Sequence, residues 1–91
     1  SMSKLRNVSF NQCFLRGGGL DNCQFTNVEF EHCNLVEAEL HRTSLKGIDL
    51  TSSEIAGIRI GSIPGGELKG ATVTSLQALD IARMLGITIK D

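Results

Sequence analysis

Charge is nearly balanced in this 91-residue chain: nine Lys and Arg against ten Asp and Glu leave a net charge of −1. That removes the bulk attraction expected of a nucleic-acid binder, and equally the strong acidity by which a protein could imitate DNA through charge alone. No apolar run approaches the roughly 20 residues of a membrane span, and no charged start followed by an apolar stretch marks a signal peptide. The expectation is a cytoplasmic protein with no membrane and no direct nucleic-acid contact. Tryptophan and tyrosine are absent, and proline occurs once, at Pro64. Glycine is plentiful but forms no phosphate loop, because Gly17, Gly18 and Gly19 lack the following Lys and Ser or Thr. No cofactor is expected.

What the chain does have is a period. From Leu5 to Ile60 every fifth residue is large and apolar: Leu5, Phe10, Leu15, Leu20, Phe25, Phe30, Leu35, Leu40, Leu45, Leu50, Ile55 and Ile60. A helix repeats near 3.6 residues and a strand at two, so neither gives a step of five. A short fixed period signals a solenoid whose unit is one small structural step. Two residues before each centre runs a second column, mostly small or β-branched: Ser3, Val8, Cys13, Gly18, Cys23, Val28, Cys33, Ala38, Thr43, Ile48, Ser53 and Ile58. Both columns are expected inside, while polar residues between them, such as Asn11, Gln12, Thr26, Asn27, Glu31 and His32, face water. An apolar content of 41% then suffices for one domain with a thin continuous core.

The units VEFEH, CNLVE, AELHR and IDLTS resemble the pentapeptide-repeat family, whose unit is a small residue, a polar one, Leu or Phe, then two polar residues. The resemblance implies an all-β solenoid, a right-handed quadrilateral β-helix in which four pentapeptides close a square coil of twenty residues. Leu5, Phe25 and Leu45 then form one internal ladder; Phe10, Phe30 and Leu50 a second; Leu15, Leu35 and Ile55 a third; Leu20, Leu40 and Ile60 the fourth. Coils about 4.8 Å apart would pair as strands do. Residues twenty apart would share a wall, placing Lys4, Arg6 and Lys46 on one and Glu29, Glu31 and Asp49 on the next. The last three are the candidate partner-binding residues.

Cys13, Cys23 and Cys33 fall in the small inward column, which explains them as packed free thiols. Cys13 and Cys33 lie one coil apart with side chains pointing in parallel. Cys23 sits on the opposite wall and His32 and His41 point outward, so no metal site is expected. The candidate acids and bases, Glu29, Glu31, His32, Glu37, Glu39 and His41, occupy a regular surface that implies no pocket, so no catalytic residue is expected. Gly17 to Gly19 have two readings: relief of crowding or an unusual backbone angle at a corner near Leu15 or Leu20, or close approach of a partner.

The period breaks in GSIPGGELKGATV, where the step from Ile60 is lost and resumes at Leu68 and Val73. The gap equals one pentapeptide plus three residues, and Pro64-Gly65-Gly66 is a turn signal, so a bulge is expected around Ser62 to Pro64, within 61–66. Residues 3–73 thus make about three and a half coils, a rod of roughly 17 Å. Residues 74–91 read as a cap. Thr74 with Gln77 forms a capping box, Gly86 a helix stop, and Ile87-Thr88-Ile89 a short closing strand. Ala78, Ile81, Ala82 and Leu85 are expected to face the last coil, and Gln77, Asp80 and Arg83 to lie on the polar side. Ser1 and Met2 precede the pattern and read as a cloning remnant.

The stretch from IDLTSSEIAGIRI through TSLQALDIARMLGITIKD resembles the C-terminal end of the quinolone-resistance pentapeptide proteins. Gln77, Ala78, Leu85, Gly86 and Ile87 match their terminal motif. The resemblance implies a DNA-like rod that binds DNA gyrase or another topoisomerase, paired into a homodimer through its C-terminal helix. The leftover apolar residues fit such pairing, with Leu76, Leu79, Met84, Ile87 and Ile89 as candidate interface. The gyrase-contacting loops of full-length members have no counterpart here. The reading from sequence is therefore a non-enzymatic protein-interaction module, with the gyrase-binding DNA mimic as the alternative.

Overall fold

Two parallel strands, β1 over Ser3–Asn11 and β2 over Cys23–Glu31, open the chain at a separation of twenty residues. Leu5 stands beside Phe25, Val8 beside Val28 and Phe10 beside Phe30. The computed structural model describes residues 2–61 and 66–91; Ser62, Ile63 and Pro64, where the sequence places the bulge, lie outside them. Isolated parallel bridges continue the same step, from Phe14 to Asn34 to Glu54 and from Gly19 to Glu39 to Arg59. The N–H groups of Leu15, Leu20 and Leu35 donate to the carbonyls of Asn34, Glu39 and Glu54 at 2.8 Å, each nineteen residues on. The path is β-helix-like: the chain returns over itself every twenty residues, and the ladder runs along the stack.

The corners explain why regular strand is confined to β1 and β2 among the described residues. Positive φ recurs at Asn7, Gln12, Gly17, Asn22, Asn27, His32, Glu37, Arg42, Gly47 and Gly57, each two residues after an apolar centre. A single left-handed residue turns the chain sharply, and Asn and Gly adopt it at least cost. Most later corners are β-turns, with the carbonyls of Leu35, Leu40, Leu45, Leu50 and Ile55 accepting the N–H three residues on. Those turns leave only single bridges between them. Asn7 and Asn27 tie their corners together, Nδ2 of Asn27 donating to Oδ1 of Asn7 at 2.8 Å.

Both inward columns meet in one core. Phe30, Leu35, Leu40, Leu45, Leu50 and Ile55 are buried, as are Cys33, Ala38, Thr43, Ile48, Ser53 and Ile58. Leu5, Val8, Phe10, Leu15 and Leu20 of the first twenty residues are half-buried against them. The two buried hydroxyls are used: Thr43 Oγ1 accepts from the Cys23 N–H at 3.0 Å and Ser53 Oγ from the Cys33 N–H at 3.1 Å. Each replaces a missing backbone acceptor in the coil above, which is how polar residues survive in the column. Cys13, Cys23 and Cys33 are free thiols.

Across the interruption the step changes from twenty to twenty-three, since Asp49 bridges Thr72. Leu45 and Leu50 correspondingly donate to Glu67 and Thr72, twenty-two residues on. Glu67 is 7% exposed, although it occupies a nominally outward position. Its Oε2 accepts from the Arg42 N–H at 3.0 Å and the Gly61 N–H at 2.8 Å. A side chain thus satisfies the donors that the shifted coil leaves unpaired.

The helix α1 spans Ser75–Met84 and begins with the capping box: Gln77 N–H donates to Thr74 Oγ1 and Thr74 N–H to Gln77 Oε1. Its packing corrects the expectation from sequence. Gln77 is buried, and its Nε2 donates to the carbonyls of Leu50 and Ser53, both at 2.7 Å. The amide stands where a further coil would have supplied donors. Ile81 and Met84 pack against the core while Ala78 and Leu85 are exposed. The inward face is therefore Gln77, Ile81 and Met84, at i, i+4 and i+7. Residues 87–89 form no strand, because the Ile87 N–H is spent on the Ala82 carbonyl and that of Gly86 on Arg83. With Gly86 at φ 78° this is a Schellman stop, which turns the chain away from the coil.

Candidate interaction surface

Residues paired one step apart are neighbours along the β-helix-like path. Glu29 and Glu31 lie on β2, exposed, paired in register with Ser9 and Asn11. One step on, Asp49 is exposed and its Oδ1 accepts from the Thr51 hydroxyl at 2.6 Å and the Thr51 N–H at 2.8 Å. The Thr51 hydroxyl first, then its N–H, holds the Asp49 carboxyl below the ordinary range. All three carboxylates are exposed, Glu29 and Glu31 on β2 and Asp49 at the step that bridges Thr72. Burial pushes the Glu67 carboxyl up, but the N–H groups of Arg42 and Gly61, its own N–H and nearby His41 outweigh burial and hold it below its ordinary value.

The other candidate acids and bases are dispersed. Glu37 pairs with Arg16 at 3.1 Å, and His41 Nδ1 lies 3.3 Å from Asp21 Oδ1. His32 is exposed at a left-handed corner. Among the described residues no three His, Cys, Asp or Glu side chains gather around a point that could hold a metal ion. Gly17, Gly18 and Gly19 differ in their surroundings. Gly17 is left-handed, a Cβ on Gly18 would meet the Leu15 carbonyl oxygen at 2.9 Å, and Gly19 has open space. Sequence reasoning passed over Phe14, which is 75% exposed and lines a shallow groove of about 410 Å³ with Arg16, Gly17, Glu37, Glu39 and Arg59. Its position one before an apolar centre was the available signal.

At the C-terminal end Leu76 is 77% exposed, with Leu79, Leu85 and Ile87 also exposed and Ile89 half-buried. Met84 is drawn onto the core instead. No helix among the described residues is long and apolar enough to cross a membrane.

These features define a repeat-built chain of five-residue steps with parallel pairing from one twenty-residue turn to the next. Residues 20–52 match the family model of pentapeptide repeats, with eight copies, which supports membership of that family and the β-helix-like path. No curated protein matches the chain.

Proposed function

We propose that the protein is a non-enzymatic interaction module of the cytoplasm, a right-handed quadrilateral β-helix whose flat walls are its binding surfaces. The reading is supported by the exposure of Glu29, Glu31 and Asp49, which the twenty-residue step of β1 and β2, continued to residue 49, would set along one wall. Fixed spacing of like charge favours a partner with a complementary basic surface, since the charges are ordered before binding. Affinity capture with the wild type and with a Glu29→Lys, Glu31→Lys, Asp49→Lys variant tests it. A partner retained by the first and lost by the second is expected; identical partners for both would overturn the assignment.

The same wall supports the alternative, a DNA mimic that binds DNA gyrase or another topoisomerase and gives quinolone protection, as quinolone-resistance pentapeptide proteins do. The C-terminal end suits the homodimer that this reading includes, because Leu76, Leu79 and Ile87 leave apolar surface uncovered, with Ile89 and Met84 beside them. Gyrase supercoiling measured with and without the protein, in the presence of a fluoroquinolone, separates the two readings. Protection supports the mimic, and no effect at micromolar protein removes it. Sedimentation tests the pairing: a wild-type dimer of the 9.8 kDa chain that dissociates on Leu76→Glu, Ile87→Glu is expected, and a monomeric wild type excludes it.

A further inference from the structure

We propose that the wall carrying Lys4, Arg6, Lys46 and Lys69 is a docking strip for an extended acidic segment of a partner protein. It shares no residue with the acidic wall. Register places Lys4 beside Gln24 and Arg6 beside Thr26. The Leu45 to Glu67 hydrogen bond brings the next two steps together, and a Cβ built on Gly70 would lie 2.9 Å from Lys46 Cγ. Arg6, Thr26, Lys46 and Lys69 thus form one column, with successive members about 4.8 Å apart.

All four cations are exposed. The ion pairs among the described residues, Arg16 with Glu37, His41 with Asp21 and Arg83 with Asp80, use none of them. Between them stand Gln24, Thr26 and Ser44, and the one acid in the run, Glu67, is folded inward onto Arg42 and Gly61 N–H groups. A groove of about 660 Å³ beside the column is lined by Gln24, Phe25, Arg42, Ser44 and Lys46, with no carboxylate. Arg42 brings a fifth cation to the same edge.

Width decides the occupant. A wall is one pentapeptide across, roughly 15 Å of extended chain, and the neighbouring wall carries Glu29, Glu31 and Asp49. A nucleic-acid duplex or a broad anionic surface would overlap those carboxylates and be repelled. A single extended peptide is about 5 Å wide and fits within the strip. Its side chains on one face recur about every 6.7 Å, within reach of Lys and Arg arms rooted at multiples of about 4.8 Å. Pairs of this kind are exposed, so binding is expected to be salt-sensitive.

Fluorescence anisotropy with a fluorescein-labelled ten-residue peptide of alternating Glu and Ser, and with a labelled ten-nucleotide oligothymidylate, tests the assignment at low and physiological salt. The peptide is expected to bind at low salt, to weaken several-fold at physiological salt, and to lose at least about tenfold in affinity on Lys46→Glu, Lys69→Glu. Glu29→Lys, Glu31→Lys should not weaken it. Should the reversal variant not melt with the wild type, Lys46→Ala, Lys69→Ala replaces it, with about a threefold loss expected. No peptide binding at low salt, equal binding by a folded variant, or tighter binding of the oligothymidylate would each overturn the proposal.

Discussion

The rings of Phe10 and Phe30 lie 5.0 Å apart between centroids with their planes 7° from parallel. Only an in-register step of twenty residues brings these two side chains face to face. Phe25, from the neighbouring ladder, meets Phe30 at 5.9 Å and 58°. Phe30 therefore sits against aromatic surface from the preceding coil and from its own, and is 2% exposed. Such pairs add attraction beyond buried area alone.

Phe30→Ala should cost on the order of 3–5 kcal/mol, because the ring fills a narrow column whose neighbours are fixed by backbone ladders and cannot collapse inward. Ser9→Ala, on the exposed face of β1, should cost less than about 0.5 kcal/mol. Urea denaturation of both variants checks the contrast. Equal midpoints would mean that position 30 is not in the core.

The five-residue period was enough to place both inward columns, since every buried side chain among the described residues apart from Glu67 and Gln77 follows it. Those two exceptions show what periodicity misses. Glu67 and Gln77 are buried not for hydrophobicity but because unpaired N–H and carbonyl groups remain wherever the repeat is interrupted or stops. A polar residue in a break carries no pattern to betray it. The misreading of residues 87–89 has the same origin: Ile-Thr-Ile has the composition of a strand, but the Gly86 stop consumes its first N–H. The exposure of Phe14 follows from its place one before an apolar centre, an outward position of the five-residue unit, although its aromatic side chain suggests core.

Gln77→Ala should cost on the order of 2–4 kcal/mol, since the Ser53 carbonyl loses the amide donor, the Leu50 carbonyl keeps only the Ser53 N–H, and the capping box loses its reciprocal half. Gln77→Glu should be worse at neutral pH, placing a carboxylate against the Leu50 and Ser53 carbonyls, and should recover partly in acid as the carboxyl becomes a donor. Thermal melts of both variants at neutral and acid pH test this. A Gln77→Ala variant that melts with the wild type would show that the amide does not close the coil.

Glu67 carries a pH dependence with a definite sign. Its folded pKa is lowered from 4.5, so its stabilisation is fully present above the unfolded value and is lost as pH falls from about 4.5 through the folded pKa. Glu67→Gln should destabilise near neutral pH and converge toward the wild type in acid. Melting curves that stay parallel from pH 7 to 3 would show that the carboxylate is not the group holding Arg42 and Gly61.

Two of the three adjacent glycines should respond in opposite directions. Gly17→Ala should lose about 1–2 kcal/mol because its φ of 67° is left-handed. Gly19→Ala, with open space and no such φ, should gain roughly 0.4–1 kcal/mol through the unfolded chain. Denaturation midpoints that move in the same direction for both would contradict the corner assignment.

Every wall drawn above depends on the step between coils, which nuclear Overhauser contacts on the labelled protein measure directly. Contacts are expected between Leu5 and Phe25, Phe10 and Phe30, Asn34 and Glu54, and Glu39 and Arg59, all twenty residues apart, changing to twenty-three between Asp49 and Thr72. Contacts that pair these same residues with partners from another step, or in antiparallel order, would contradict the stacked path and dissolve both charged walls with it.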